Sequence, residues 1–552
     1  MKVIRGSFRV FSLIAIAGLV GATSAQAIPV QVAEAPMNDL ALTVSAVNSA
    51  TQSLYVNIYE LSSPDIADAL IARIKAGVHV EIIEEGQPVG GMSTASRGIQ
   101  SEIVQAMQAA GNGDKLYEMS SKASSAKRRF RFDHAKYMVI DGQSLLIGSE
   151  NYSPTGNPQP STVGNRGWEV LISDASLTQE FRAIFTKDSD VSQGDLLDLV
   201  SSKLYGQEMA FLAVANSSKQ IYSGEYINTA PTFDASTIVK FTSPDTSLSG
   251  LKNLLDQATT SIDIQQMSFD SEFKSAGGNS PLLDSVLAAA KRGVKIRVLL
   301  NDDAVFEHAS HPTPSKNLAT IDVLTQAGIS ARTANLKAMG VDYIHNKGVL
   351  VDGNKTLISS INWTENAVTH NRETAVVITS ADIFNHYETL FNSDWQVSDG
   401  QLHSSVLQLA ALDAQPAIAA SACPDTLNVV ADFQTIRASD PDALGFSELS
   451  GTKLNVAMSR SADTRGCVMV SNDDITIGSG KSTGKKLFLE IRTKADGSHT
   501  IIFEGYTSKG KLFSVRANTT RVRVTGKYTC DVYDGSGPNR EDIGDAILTL
   551  AN

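Results

Sequence analysis

Strand-like and helix-like spacings of apolar residues alternate along the first part of the chain. Residues 54–58 show a strand pattern, and apolar residues then recur at helical spacing between Ser63 and Gly77. A second strand over residues 78–83 and a second helix around residues 99–110 follow. Strands that alternate with helices in this way predict an α/β fold, with a mixed, parallel-rich sheet and helices on both faces.

The same pattern occurs a second time further along the chain. Residues 258–264 echo residues 50–56, and the helix and strand patterns return after them. A single repeat of this length excludes a solenoid and predicts two tandem α/β halves that share one site at their interface. We assign the first half, the connecting segment and the second half to residues 28–200, 201–235 and 236–400.

Beyond residue 425 the pattern changes to short strands between Gly, Asp and Ser turns. Four of these strands are predicted at residues 486–492, 500–504, 512–515 and 520–524. Such spacing is typical of a small β-sandwich or barrel, which we assign to residues 426–552. A helix and an Ala-rich linker at residues 401–425 precede it. This region has no identifiable chemistry, so its default role is that of an accessory binding or surface-targeting module.

One motif with clear chemical meaning is present in both halves. It consists of His, Lys, Asp, Ser and Asn at the same spacing in each half. The first copy is His134, Lys136, Asp141, Ser149 and Asn151, and the second is His345, Lys347, Asp352, Ser360 and Asn362. Each copy reads as a strand, an Asp-Gly turn and a returning strand, the pattern of a β-hairpin.

This set of side chains suits a phosphate group. Residues two apart on a strand share a face, so each hairpin presents an imidazole, an ammonium, a hydroxyl and an amide together. Where two hairpins face each other, one imidazole can attack phosphorus while the other protonates the leaving oxygen and then deprotonates water. The lysines and amides would stabilise the charge that develops on the phosphate oxygens. The scheme needs no metal or other cofactor, and a His-x-Lys spacing is a poor chelate.

The duplicated motif resembles the hallmark of the phospholipase D superfamily, His-x-Lys-x4-Asp-x6-Gly-Ser-x-Asn, in a secreted bacterial type of member. The first copy matches in full, and the second has Ser359 where the family usually has Gly. The resemblance implies that the two histidines act as nucleophile and general acid/base, and it favours His134 as the nucleophile. The catalytic set predicted on this basis is His134, Lys136, Asp141, His345, Lys347 and Asp352. The predicted phosphate-binding set is Ser149, Asn151, Ser360 and Asn362. The two aspartates are either supporting residues or only turn formers.

The family also has an acidic residue on a following strand that orients the histidine. Glu373, in the sequence Asn-Arg-Glu, fits this role. The corresponding position of the first half is Gly167, so we predict that Glu169, two residues on and therefore on the same strand face, takes its place.

The N-terminus and the charge indicate an exported protein. Residues 1–27 combine a positive start, a short apolar core and a small-residue cleavage site after Ala27, which predicts a secretory signal peptide and a secreted or periplasmic protein. Cleavage would remove three basic residues and take the formal net charge from −12 to −15. The three cysteines, Cys423, Cys467 and Cys530, predict one disulfide with one remaining thiol, although the sequence leaves the pairing open.

Two substrates remain open for one active site. We expect a monomeric phosphodiesterase that acts on phospholipid at a membrane surface and releases its head group, because the acidic balance and one short basic cluster at residues 127–131 do not favour a polyanion. That cluster is either a solvated loop or an electrostatic guide for phosphate. Phe130, Phe132 and Phe306 are either core residues or an apolar rim. A metal-independent nuclease acting on nucleic acid is the alternative, and a non-catalytic secreted binding protein is less favoured because both motifs are complete.

Overall fold

The computed structural model describes residues 27–551 with several gaps. In the α/β region the gaps are residues 90, 121–126, 161, 203–225, 304–314 and 399–425. In the C-terminal region they are residues 437–448, 450, 461–466, 473–485, 494–498, 507–511, 520–525 and 535–540. The predicted signal peptide, the predicted linker at residues 401–425 and Phe306 therefore lie outside the described residues, except for Ala27.

The first half is a nine-stranded mixed sheet. Its strands are β1 Ile28–Ala35, β2 Ser53–Ile58, β3 His79–Glu85, β4 Lys115–Met119, β5 Lys136–Ile140, β6 Ser144–Gly148, β7 Gly167–Ile172, β8 Leu196–Asp198 and β9 Thr232–Ala235. Its helices are α1 Asp39–Ser49, α2 Pro64–Lys75, α3 Thr94–Ala110 and α4 Ala175–Asp188. The strand order is β8-β4-β3-β2-β5-β6-β7-β1-β9, in which β2, β3 and β4 are parallel. Helix α3 begins five residues before its predicted start, because the Ser93 side chain caps it by accepting a hydrogen bond from the Ser96 N–H.

The second half repeats this arrangement around the second motif. The strands of its main sheet are β10 Thr237–Ser243, β11 Ser261–Gln266, β14 Lys295–Leu300, β15 Ser330–Thr333, β16 Lys347–Val351, β17 Lys355–Ser359 and β18 Glu373–Thr379, and a two-stranded ribbon adds β12 Glu272–Phe273 and β13 Gly278–Asn279. Its helices are α5 Ser247–Asp256, α6 Pro281–Lys291, α7 Lys316–Gln326, α8 Leu336–Met339, α9 Glu365–Thr369 and α10 Ala381–Val397. The strand order is β10-β18-β17-β16-β11-β14-β15.

The two halves share one apolar core. Buried residues of β5, β6, β7 and α4 pack in a single cluster with those of β17, β18 and α10. The opposite face of each sheet has a core of its own under the remaining helices. The motif hairpins β5–β6 and β16–β17 therefore lie in the middle of their sheets, close to the surface that the halves share.

The C-terminal region is a closed antiparallel β-barrel. Its strands are β19 Thr426–Ile436, β20 Lys453–Arg460, β21 Cys467–Ser471, β22 Phe488–Thr493, β23 His499–Tyr506, β24 Leu512–Thr519, β25 Gly526–Asp534 and β26 Glu541–Ala551. Apolar side chains fill its interior. Three of the four strands predicted here correspond to β22, β23 and β24, and the fourth falls outside the described residues. Cys530 is buried, but Cys423 lies outside the described residues, so the disulfide stays a prediction.

Candidate active site

Backbone hydrogen bonds between the halves fix the two motif histidines. The His134 N–H donates to the Arg372 carbonyl at 2.8 Å, and the His345 N–H donates to the Arg166 carbonyl at 2.9 Å. Arg372 and Arg166 occupy corresponding positions just before β18 and β7. Each histidine is therefore held by the half of the molecule to which it does not belong.

Each imidazole also meets a carboxylate from the opposite half. His134 Nδ1 lies 2.8 Å from Glu373 Oε2, and His345 Nδ1 lies 3.1 Å from Glu150 Oε2. A carboxylate at Nδ1 fixes that nitrogen as the protonated one, which leaves Nε2 as the atom for chemistry. The site thus contains two His–Glu pairs, and both pairs cross between the halves.

The two lysines lie at equivalent places beside the histidines. Lys136 Nζ donates to the His134 carbonyl at 2.8 Å, and Lys347 Nζ donates to the His345 carbonyl at 2.5 Å. Both side chains are buried. Lys136 Nζ also lies 5.1 Å from the centre of the Tyr59 ring, which itself meets the His134 ring edge to face at 4.7 Å. Two buried ammonium groups beside the histidines suit an anionic ligand.

The amides of Asn151 and Asn362 complete the polar surface of the site. Both side chains are partly exposed. Among the described residues, the Oδ1 of each is buried without a hydrogen-bond partner. Because Oδ1 is an acceptor, a bond to a phosphate oxygen would come from the Nδ2 of each amide. The structure thus places both predicted phosphate-binding amides next to the motif strands.

Burial and the paired lysines set the pKa values of the site. Burial, together with Lys136 and Lys347, lowers the pKa of His134 well below its ordinary value. Burial and Lys347 lower the pKa of His345 to about 4, against the opposing effect of Glu150. Burial lowers the pKa of Lys136 to about 8. Both imidazoles are therefore neutral near pH 7 until an anion binds, and a bound phosphate would raise all of these pKa values.

Asp141 and Asp352 lie at the far end of the motif strands and take no part in the site. Each occupies the hairpin turn with a positive φ, 51° and 52° respectively. Their carboxylates accept backbone N–H bonds of the segments 51–53 and 259–261. Each aspartate lies seven residues after its histidine along the chain, roughly 23 Å at about 3.3 Å per residue. Of the two alternatives that the sequence left open, the structure favours the turn former for both residues.

Ser149 and Ser360 bind the two carboxylates of the site. Ser149 Oγ donates to Glu150 Oε1 at 3.0 Å, and Ser360 Oγ donates to Glu373 Oε2 at 2.6 Å. Both serines are fully buried. Their role in phosphate binding stays a prediction.

Glu169 does not orient a histidine. Its carboxylate accepts a hydrogen bond from Thr43 Oγ1 at 2.8 Å, and burial raises its pKa to about 8. Glu150, which the sequence analysis did not assign, takes the predicted role. The signal was present in the sequence, since the variable position of Ser-x-Asn is Glu150 in one copy and Ile361 in the other, while Gly167 and Glu373 show the reverse.

The residues of the basic cluster and of the predicted aromatic rim lie in different surroundings, some in the core and some beside the site. Arg128 pairs with Glu85, and Arg129 pairs with Asp195 at 2.9 Å. Phe130 is buried in the shared core, whereas Phe132 is half-buried and contacts Tyr59 beside His134. The cluster is thus partly structural, and Tyr59 and Phe132 supply an aromatic edge to the site.

Comparisons with known proteins agree with this geometry. A family model described as a cardiolipin synthase, PLD-like domain, matches residues 43–189 and 251–395, together more than half of the chain. The chain therefore belongs to the phospholipase D-like family.

The sequence identity to individual relatives is low. The mitochondrial cardiolipin hydrolase of Danio rerio is 30% identical over 154 residues, 28% of this chain and 59% of the relative. That of Chlamydomonas reinhardtii is 28% identical over 152 residues, with the same two shares. The chain thus spans about three fifths of the length of these curated relatives. A solved phosphatidylserine synthase from Haemophilus influenzae has 13% identity and a TM-score of 0.49, covering 70% of this chain and 92% of that one.

Among the described residues, no helix is both long and apolar enough to cross a membrane.

Proposed function

We propose that this protein is an exported phospholipase D-type enzyme that hydrolyses the head group from a phospholipid through a phosphohistidine intermediate. The observation that carries the proposal is the pair of His–Glu contacts beside two buried lysines. One such pair supplies a nucleophile, and the other supplies an acid and then a base. Export rests on the predicted signal peptide, and a monomer rests on the presence of both half-sites in one chain.

The reaction takes two steps. Nε2 of one neutral imidazole attacks phosphorus and forms a P–N bond, while the P–O bond to the head group breaks and the second imidazole, protonated after substrate binding, gives its proton to the departing oxygen. Water then attacks phosphorus as the second imidazole takes its proton, and the P–N bond breaks to release phosphatidic acid. We assign His134 as the nucleophile, a role supported by its greater exposure, 12% against 5% for His345.

The lysines and amides bind the phosphate oxygens in both steps. Lys136 and Lys347 balance the charge that grows on those oxygens, and Asn151 and Asn362 donate to them. The Nδ1–carboxylate contacts keep each Nε2 aimed at the same phosphorus, an entropic advantage over free imidazole.

Three observations support a lipid over a nucleic acid. The relatives with the matching sequence are named cardiolipin hydrolases. The edge of the site near His134 is aromatic, with Tyr59 and Phe132 in contact. Two arginines of the short basic cluster are paired with carboxylates, so they add little to a track for several phosphates.

The test compares two substrates under one set of conditions. Purified mature protein is assayed with EDTA on mixed micelles of phosphatidylcholine, phosphatidylglycerol or cardiolipin, and on single-stranded DNA, at matched pH and physiological salt. We expect faster turnover of a phospholipid, loss of activity in both H134A and H345A, and a labelled phosphohistidine at residue 134 after rapid quenching.

The outcomes separate the parts of the proposal. Faster cleavage of DNA would show that the preferred substrate is nucleic acid, and the proposed two-histidine reaction would still hold. Activity that vanishes in EDTA and returns with zinc or calcium would contradict the phosphohistidine route. Label on His345 would reverse the two roles.

A further inference from the structure

The two His–Glu pairs are built from different places in the sequence. Glu373 is the first residue of β18, whereas Glu150 lies just after β6, in the middle of Ser-x-Asn. At the position that corresponds to Glu373, the first half has Gly167, and at the position that corresponds to Glu150, the second half has Ile361. The carboxylate therefore comes from a different position in each half, from the loop after β6 in the first and from the start of β18 in the second.

Both carboxylates nevertheless receive the same three donors. Glu150 accepts from Ser149, from Asn165 Nδ2 at 2.9 Å and from His345. Glu373 accepts from Ser360, from Asn371 Nδ2 at 2.9 Å and from His134. Each set combines the motif serine, the asparagine two residues before the strand position and a histidine of the other half. The donors are in place whichever position supplies the carboxylate.

Gly167 leaves the space that Glu150 fills. A Cβ atom at Gly167 would lie 2.0 Å from Glu150 Oε1 and 2.6 Å from its Cδ, and all three of the nearest atoms belong to Glu150. The Gly167 backbone is ordinary strand, paired with Ala35, and has no positive φ that would require glycine. The side chain of Glu150 is thus the obstacle to a larger residue at this position.

We propose that Glu150 and Gly167 form one exchangeable unit, in which Glu150 is the positioning residue for His345 and Gly167 is the space it requires. Glu150 binds His345 from the loop after β6, in the same way as Glu373 binds His134 from β18. The inference rests on the proposed two-histidine reaction, and it adds which residue positions the second histidine and by what arrangement.

Glu150 is also a specific electrostatic partner of His345. Burial alone would raise the pKa of Glu150, but His345 and Lys347 hold it below its ordinary value. An ionised carboxylate at Nδ1 stabilises the protonated imidazole, so its removal would lower the pKa of His345 further. A neutral residue of the same shape would keep the burial but would not stabilise the protonated imidazole in this way.

The test exchanges the two positions singly and together. E150I reproduces the residue of the second half, and kcat/KM should fall on the order of 10²-fold with little change in KM, because a misplaced imidazole transfers protons poorly. G167E should also be harmful, since its side chain and Glu150 compete for one space. The double variant E150I/G167E should recover at least about tenfold over E150I, because it rebuilds the arrangement around Glu373.

Two further measurements separate positioning from folding and from turnover. E150Q keeps the shape and removes the charge, so NMR titration of the His345 ring should show a lower pKa than in the wild type, and any limb of the pH profile due to His345 should move to lower pH. This readout is informative even if no substrate is turned over. E169Q, a change at a buried carboxylate two residues from Gly167, is the matched control and should leave kcat/KM unchanged.

Three results would overturn the proposal. They are a folded E150I with wild-type activity, a folded double variant no better than E150I, and an unchanged His345 pKa in E150Q. If the wild type hydrolyses no phosphodiester but the His345 pKa moves as expected, the proposed function fails while the positioning unit stands.

Discussion

At the residue scale, the two buried lysines lower the stability of the folded protein, although the proposed function requires their charges. Lys136 has a folded-state pKa of about 8, because burial outweighs the attraction of Glu373 and Glu150. Lys347 is shifted in the same direction by burial and by Lys136. A lysine whose pKa is depressed by folding destabilises the folded state at every pH at which it stays charged. The site therefore contains two buried charges that destabilise the folded state, because binding an anionic substrate requires them.

The change K136M should abolish phosphodiesterase activity and stabilise the protein. Below pH 8 the lysine is charged in both states, so the full penalty applies, on the order of 3 kcal/mol for a pKa lowered from 10.5 to about 8. Between pH 8 and about 10.5 the folded state releases its proton first, so wild-type stability rises with pH and the advantage of K136M shrinks. Denaturant unfolding at pH 7 and at pH 10.5 measures this.

The control is K295M, the same change at an exposed strand residue, which should stay within about 0.5 kcal/mol of the wild type. A K136M variant that is less stable than the wild type at pH 7 would show that the carboxylates, and not burial, dominate the surroundings of Lys136.

At the scale of the element, the two ends of the motif strand have different roles: one contributes to the site and the other forms the hairpin turn. The histidine and lysine lie where the strand begins, and the aspartate caps the turn where it ends. Asp141 accepts the N–H groups of Thr51, Gln52 and Ser53, each at 2.8 Å, and ties the turn to the start of β2. Asp352 makes the equivalent contacts before β11. The constant spacing of His and Asp thus reflects the length of one strand.

The change D141A should lower stability and leave the chemistry intact. Alanine at a φ of 51° is strained, and three backbone donors lose their partner, so we expect a loss of about 2–4 kcal/mol. At a temperature where the variant is folded, kcat/KM should stay within about twofold, since Asp141 touches no group of the site. Thermal unfolding and steady-state kinetics on one preparation test both statements.

D141N is the companion variant, because asparagine tolerates a positive φ and keeps one acceptor. A large fall in kcat/KM for folded D141N would return Asp141 to the catalytic set.

At the scale of the whole molecule, the two halves are interlocked through polar contacts around the site. Arg166 pairs with Asp394 of α10, and Arg372 pairs with Asp188 of α4, each at 2.8–2.9 Å between buried groups of opposite halves. The same two arginines accept the backbone N–H bonds of the histidines. Neither half contains a complete His–Glu pair, so the site exists only when the halves are docked.

This arrangement predicts no complementation between inactive chains. H134A and H345A variants, purified separately and then mixed, should show no more activity than each alone, because each chain already contains both half-sites. The assay is turnover of the mixture against that of the separate variants, with light scattering to measure mass. Restored activity or a dimeric mass would show that chains exchange halves and would contradict the proposed monomer.

The sequence by itself determined the elements, the duplication and the candidate residues of the site. The apolar spacing located β2, α2 and β3, and the repeated His-x-Lys identified both imidazoles and both lysines, because strand periodicity and side-chain chemistry are local properties. The change to short strands beyond residue 425 likewise indicated an all-β region, although not whether it closes into a barrel.

Only the tertiary structure decided which groups meet. His134 pairs with Glu373 and His345 with Glu150, at sequence separations of 239 and 195 residues. Glu169, on the correct strand face by local periodicity, turned out to contact Thr43 instead. Periodicity gives the face of a strand, but whether a carboxylate reaches a histidine depends on how two sheets dock and on the space left by one glycine. That space at Gly167 is a property of the folded molecule, and the side chain of Glu150 fills it.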